Sequence, residues 1–417
     1  FYKIRWERDF QTSKQISRGR PIPMYHQPFS ADPNVLESQE SRGLDVGIKS
    51  FSLDFDGSDP PASETFEPLI DTNPFNYIGS DLNPAVVMAM YDIMGKYLEI
   101  PAYKLIGQKR RDGVSSAAWC WGGPTKEELT DDIIRATNDG YTIFKIHTNP
   151  LEDVFEWTKA IEEVAPPGFK VHLDFTGRRG RTLGSVLPIV AQLERKHPII
   201  GWIEDPFDTA DIESWRELRR RTQLPIVHGG TTKLGGGHEA LMGMADAYMM
   251  YPPIGNLINT TTTMGKLNLQ VILQFCGGTL AKSMAMHIAC TMPTATGHSI
   301  HLDDQLDADD DITHKRFAVT EGFSRVSEEP GLGFEVDEEL LYKYRDNVPN
   351  EIAPYIGVVR LGGGHSIYSL RQPNLVKIMG QEEGTIRNFT YNRWFDDGSE
   401  QWAQTYERVT NEEWYID

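Results

Sequence analysis

Two acidic residues, Asp174 and Glu204, each close an apolar run: Val171-His172-Leu173-Asp174 and Trp202-Ile203-Glu204, the second continuing into Asp205-Pro206. They stand thirty positions apart, the length of one strand plus one crossover helix, so both carboxylates would project side by side from adjacent parallel strands. Such a pair, with coordination positions left open, suits Mg²⁺, a hard cation that prefers oxygen ligands and keeps waters for substrate. One repeat earlier, Phe144-Lys145-Ile146-His147 places Lys145 and His147 on a single strand face by the period of two. A lysine near a cation can have a depressed pKa and act as a base, and a histidine titrates near neutrality unaided, so either could remove a proton. Taken singly, each acid reads equally as a solvated loop residue, and the Lys-x-His as a structural or surface pair. Their shared spacing is what favours a site.

Strands must carry these residues, and strand-like runs recur every 22 to 30 residues: Val114–Trp119, Thr142–His147, Lys170–Asp174, Ile200–Glu204, Leu224–His228, Asp246–Met250, Val271–Phe275 and His298–Leu302. Eight such runs with helical stretches between them predict parallel βαβ units closed into a (β/α)8 barrel. The open doubly wound sheet competes, but no Gly-x-Gly-x-x-Gly follows an early strand. Among the helices, Asp208 or Thr209 can cap one that bears the stripe Ile212, Trp215 and Leu218. Residues 1–113 read as an α+β region, β-like to about 56, Pro/Ser/Asp-rich at 57–64, and helical over about 84–98. In that helix Pro84 suits the first turn, and Val87, Met90, Ile93, Met94 and Tyr97 are the expected buried face. The barrel is expected over 114–317. The segment 318–417 is acidic and aromatic, with Trp394, Trp402 and Trp414, too apolar for a disordered tail and expected to pack on the rest.

The chain has 417 residues, 39% of them apolar, enough for a sizeable core. Sixty Asp and Glu against forty-one Lys and Arg give a formal charge of −19, a field that repels phosphate backbones and anionic lipid headgroups. Nucleic-acid and membrane roles are therefore disfavoured. Three cysteines, Cys120, Cys276 and Cys290, lack CxxC spacing and indicate neither a disulfide framework nor a zinc site. The expected location is the cytoplasm.

The run Tyr91-Asp92-Ile93-Met94-Gly95-Lys96, continuing through Pro101, Leu105-Ile106-Gly107 and Arg111, is followed by the strand ends Lys145-Ile146-His147, Asp174 and Glu204-Asp205-Pro206, and then by Pro330-Gly331-Leu332-Gly333 with Glu335-Val336-Asp337. In order and spacing, over roughly residues 80–340, these resemble the mandelate racemase/muconate lactonizing branch of the enolase superfamily. The resemblance implies an α/β fold, a (β/α)7β TIM-like barrel with an α+β capping domain formed by the N-terminal region and part of the C-terminal tail. It also implies Mg²⁺ chelated by a substrate carboxylate and abstraction of the proton α to that carboxylate. The chemistry is coherent, because that proton is very weakly acidic and a nearby cation can stabilise the enediolate its removal creates.

Three departures from the family pattern stand out. A third acidic ligand is usual at the end of the fifth strand, where Pro225-Ile226-Val227-His228-Gly229-Gly230-Thr231 places Gly230. His228, two residues earlier and read on the same face, could substitute as a metal ligand, although imidazole suits softer cations; a plain barrel histidine is the other reading. The His-Asp dyad common on the seventh and sixth strands is absent from Leu273–Gly278 and Tyr248–Pro253, and Cys276 reads as packing. His147 stands in place of the commoner second lysine.

Around the mouth, Gly297-His298-Ser299-Ile300-His301-Leu302-Asp303 loosely resembles the eighth-strand end of acid-sugar dehydratases, where His301 and Asp303 could bind substrate hydroxyls. Arg18, Arg20 and His26 fall in a loop-like stretch and could meet the distal end of an acidic substrate, or form an ordinary surface turn. His287 reads as structural, and Asp307, Asp309, Asp310 and Asp311 as a solvated acidic loop. The expected function is dehydration of an aldonate- or aldarate-type acid sugar to a 2-keto-3-deoxy acid by a hydro-lyase that uses Mg²⁺, Mn²⁺ or another divalent cation. An epimerase or cycloisomerase on the same scaffold, or a non-catalytic member that has lost its third metal ligand, are the alternatives. The expected partners are a small-molecule carboxylate and, by the resemblance, further copies of the chain in a homo-oligomer.

Overall fold

A computed structural model describes residues 78–79 and 83–417, apart from 121–124, 149–150, 152, 177–180, 230–236, 295–296, 299–302, 306–310, 315, 346–352, 376–377 and 379–387. Arg18, Arg20, His26, Gly230 and His301 lie outside the described residues. Helix α1 (Pro84–Tyr97) and the single turn α2 (Tyr103–Ile106) lead to β1 (Gly113–Ser115). Strands β2 (Ala118–Cys120), β3 (Ile143–His147), β4 (Lys170–Asp174), β5 (Ile200–Glu204), β6 (Ile226–His228), β7 (Ala247–Met250) and β8 (Gln270–Leu273) then alternate with helices. Those helices are α3 (Lys126–Asn138), α4 (Val154–Val164), α5 (Leu183–Lys196), α6 (Ile212–Arg221), α7 (Gly237–Leu241), α8 (Ile254–Lys266) and α9 (Gly278–Ala289).

The seven strands β2 to β8 pair in chain order into one curled parallel sheet. Alternate residues separate into two cores. Phe144, Ile146, Val171, Leu173, Ile203, Tyr248, Met250, Val271 and Leu273 join the main cluster with the helices. Trp119, Trp202, Val227, Ala247, Met249 and Ile272 form an inner cluster of their own. A sheet buried on both faces, helices outside and its own side chains within, is the packing of a TIM-like barrel. Register sets the levels inside it: Lys145 is beside His172, while His147, Asp174 and Glu204 share the next level toward the mouth.

Local signals explain the helices. Thr125 and Glu128 form a reciprocal capping box on α3. Asp211, rather than Asp208 or Thr209, caps α6 by accepting the Ser214 N–H, at 3.2 Å, and Trp215 and Leu218 are buried as the stripe predicts. The predicted first strand, Val114–Trp119, divides: Gly113–Ser115 pairs antiparallel with β9 (Phe323–Arg325), and only Ala118–Cys120 enters the parallel sheet. Most of the predicted eighth strand, His298–Leu302, lies outside the described residues. Among the described residues no helix is long and apolar enough to cross a membrane.

Helix α1 starts as expected and buries Val87 and Met94 of the expected face, but the rest of that face is shifted. Ala85, Met88, Asp92 and Gly95 are buried, whereas Ile93 is 48% and Tyr97 80% exposed. Asp92 and Gly95 face inward because the segment 330–334 lies almost on the helix backbone. Asp92 Oδ1 accepts the Leu332 N–H at 2.9 Å, Lys96 pairs with Asp92 at 3.2 Å and Glu335 at 2.9 Å, and Gly331 bonds through its backbone to Ile100 and Ala102. A Cβ on Gly95 would sit 2.6 Å from Gly331 Cα and 2.8 Å from Ile100 O, backbone atoms that cannot rotate away. Gly95→Ala should therefore destabilise the fold by about 1–3 kcal/mol as an overpacking change, read as a lower urea midpoint; an unchanged midpoint would mean that the two segments are not clamped together.

Beyond β9, helix α10 (Glu338–Arg345) precedes β10 (Tyr355–Leu361), β11 (Ser366–Leu370), β12 (Phe389–Phe395), α11 (Glu400–Glu412) and β13 (Trp414–Ile416). These last strands form a separate antiparallel sheet in the order β12-β10-β11-β13. Trp402 joins Ile356, Val358 and Val409 in its core, and Trp394 packs against them. The tail thus builds a layer of its own, tied to the barrel by Leu151, which packs with Val359, Ile367 and Leu375, and by the Arg393–Glu128 ion pair at 3.0 Å.

Candidate active site

The barrel brings together four of the sequence-predicted residues at the C-terminal ends of β3, β4 and β5. Lys145 Nζ lies 2.7 Å from Glu204 Oε1 and 3.1 Å from Asp174 Oδ2, and His147 Nε2 lies 3.0 Å from the same Asp174 oxygen. Asp174 Oδ1 accepts the Thr176 N–H at 2.6 Å, and the His147 ring meets Trp119 edge-on at 5.2 Å. The Lys145 side chain is 1% exposed and that of His147 13%. Lysine therefore approaches from the level below, while histidine stands at the mouth.

Electrostatics divides the two acids. Burial raises the Asp174 carboxyl, but the His147 and Lys145 charges, with the Thr176 N–H, outweigh it and hold the group below the ordinary carboxylate range. Burial and the neighbouring Asp174 charge push Glu204 the other way, well above its usual value. Burial opposes the charge on Lys145, yet the Glu204 and Asp174 carboxylates overcome it and keep the ammonium protonated. Glu204 Oε2 is buried and has no hydrogen-bond partner among the described residues. A buried polar oxygen left without a partner is costly.

A third carboxylate, missed by sequence reasoning, joins this pair. One oxygen from each of Asp174, Glu204 and Asp205 lies within 4.8 Å of the others. Consecutive strand residues normally face opposite ways. Here the strand has ended, and Asp205 adopts φ +45°, a left-handed conformation that aspartate tolerates better than most residues. The hard oxygen donors and the orphaned Oε2 fit a divalent cation such as Mg²⁺.

The other predicted residues are placed elsewhere. On β6 it is Val227 that faces inward. His228 faces the helix layer, its ring 5.1 Å from Trp215 and its Nδ1 3.1 Å from Asp205 Oδ1. Asp303 is tied to Lys282 Nζ of α9 at 2.6 Å and to the Tyr141 hydroxyl at 3.2 Å. Its neighbour Asp304 accepts the Trp119 N–H at 2.9 Å. Asp311, expected in a solvated loop, is buried and accepts from Thr279 and Thr313, because it anchors a turn against α9. His287 is structural, accepting the Tyr103 N–H at 3.2 Å. Tyr251, also missed, donates its hydroxyl to the Gly229 carbonyl just beyond β7. Burial first, then the Glu204, Asp205 and Asp174 charges, push that phenol well above its ordinary range. Its signal was the period of two from inward Met249. Cys276 packs against the same inner cluster.

Below the carboxylates an aromatic stack fills the lumen. Trp202 packs against both His172 and His298, with ring centroids 3.7 and 4.3 Å away, and the two imidazoles meet each other directly, their Nδ1 atoms 2.8 Å apart. Burial and the Lys145 charge lower the His172 pKa well below its usual value. A Cβ on Gly297 would come 3.1 Å from the Trp202 ring and 2.9 Å from Ile272, so glycine there gives the indole its room.

Comparison with known proteins agrees with this architecture. The profile of the family described as enolase C-terminal domain-like matches residues 128–251 and 253–340. The chain is 23% identical over 340 residues to D-galactonate dehydratase of Pectobacterium atrosepticum, covering 76% of this chain and 87% of that protein. Among solved structures, the 3,6-anhydro-D-galactonate cycloisomerase from Zobellia galactanivorans superposes with a TM-score of 0.54 at 21% identity, over 68% of this chain and 80% of that one. A racemase from Streptomyces coelicolor with bound magnesium gives a TM-score of 0.52 at 17% identity, over 63% and 71%.

Proposed function

Because the chain belongs to the enolase superfamily, in its mandelate racemase/muconate lactonizing branch, we propose that it removes the proton α to a carboxylate and dehydrates an aldonate- or aldarate-type acid sugar to a 2-keto-3-deoxy acid. The observation that carries this reading is the cluster of Lys145, His147, Asp174 and Glu204 at one barrel mouth. A divalent cation held by Asp174 and Glu204, with Mg²⁺ favoured by the all-oxygen donors, would supply the positive charge that offsets charge developing on the substrate carboxylate. His147 takes the α-proton, since it stands at the level of the carboxylates and retains access from the mouth. Lys145, clasped beneath, keeps its proton and contributes a fixed positive charge. The β-hydroxyl leaves as water by taking up the proton that His147 has just accepted, and the resulting enol tautomerises to the keto acid.

Elimination is favoured over racemisation because the inward residues Tyr251, Gln274 and Cys276 on the far wall offer no His-Asp dyad to serve the opposite face. The galactonate dehydratase relative supports the same class of substrate. An isomerase reading draws on the cycloisomerase neighbour. A panel of aldonates and aldarates, assayed in deuterated buffer with Mg²⁺, Mn²⁺ or EDTA, separates the two. Metal-dependent release of 2-keto acid is the expected result. Deuterium exchange without release would assign an isomerase, and neither signal on any acid sugar would remove this proposal.

A further inference from the structure

We infer that Asp205, contributed by the same strand end as Glu204, supplies the third protein carboxylate to the divalent cation, and that His228 is its positioning residue. The assignment rests on the cation reading above and changes which residue completes the site. The backbone N–H of Gly229 and Nδ1 of His228 both converge on Asp205 Oδ1, at 2.7 and 3.1 Å. With that oxygen fixed from two sides, Oδ2 is the one presented to Gly229. A Cβ on Gly229 would sit 2.8 Å from Asp205 Oδ2 and would collide with Glu204 Oε1. The two acids therefore approach across a gap that exists because residue 229 has no side chain. A separate observation points to a ligand: the second oxygen of Glu204, on a side chain almost wholly buried, has no partner among the described residues.

The arrangement gives His228 a different task from the one its sequence position suggests. Its ring is packed on Trp215 in the helix layer, so it reaches the cation through Asp205, as outer-shell partners of metal carboxylates do. It also explains how a strand end without an acid can belong to a metal site. A carboxylate at position 229 would fill the gap, whereas Asp205 enters from the neighbouring strand through its left-handed backbone.

Mn²⁺ binding to the full chain, measured by electron paramagnetic resonance and calorimetry without substrate, tests this independently of turnover. Asp205→Asn should weaken binding by about 10- to 100-fold, and His228→Leu by a comparable factor, while His228→Asn, whose amide can replace the Nδ1 donor, should recover most of the affinity. Gly229→Ala keeps the set falsifiable should Asp205→Asn fold poorly, because its Cβ displaces the carboxylate ends of Glu204 and Asp205 and no backbone; it should retain the parent's circular dichroism spectrum and lose Mn²⁺. Parent-like Mn²⁺ affinity in folded Asp205→Asn or Gly229→Ala would overturn the assignment and leave the Asp174–Glu204 reading standing. No Mn²⁺ binding by the parent would overturn both.

Discussion

Asp174→Asn is expected to abolish turnover, by about 10²–10³-fold or more, with the circular dichroism spectrum unchanged. The amide preserves size, so the helix layer and inner cluster should pack as before. What disappears is an anionic oxygen that both Lys145 and His147 touch, at 3.1 and 3.0 Å. A fixed charge in a dry site carries a large electrostatic effect on the barrier, and here the same group also orients the proposed base. The loss should appear in kcat and kcat/KM alike, since the group acts on developing charge. Retention of activity within tenfold of the parent would mean that the chemistry occurs elsewhere.

Lys145→Met should show the second large effect, in stability as well as rate. Its ammonium is the compensating charge for two buried carboxylates. Removing one partner of such a set leaves uncompensated buried charge, typically costing about 3–5 kcal/mol. The variant should therefore melt well below the parent in EDTA, and Mg²⁺ should recover much of the difference by binding the folded form preferentially. Equal melting temperatures in EDTA, or a deficit that Mg²⁺ does not touch, would show that the lysine does not balance a cation site.

Much of this architecture was legible from the residues alone, for identifiable reasons. Each strand from β3 to β8 is an apolar run of few residues between helical stretches, so strand period and repeat length could both be read. The period of two was enough to put Lys145 with His147, and one repeat was enough to bring Asp174 beside Glu204. Parity at the end of β6 was not legible. It depends on register, and Glu204 is level with Val227, which sends His228 to the helix layer. Asp205 was hidden because a residue between a strand end and Pro206 reads as a turn, and only its positive φ returns the side chain to the mouth. The split near Ser116 was invisible too, since both halves of that run are equally good strand formers. On α1, large apolar residues drew attention away from Gly95 and Asp92, whose contacts are made by backbone over 200 residues later in the chain.

The indole packed against the paired rings of His172 and His298 has a further consequence for traffic. Trp202 lies two residues before Glu204 on the same strand, so among the described residues the aromatic cluster fills the space directly beneath the acids. Whatever enters to react must leave by the opening it came through. Product that lingers there obstructs the next arrival, and inhibition by product should be competitive with substrate.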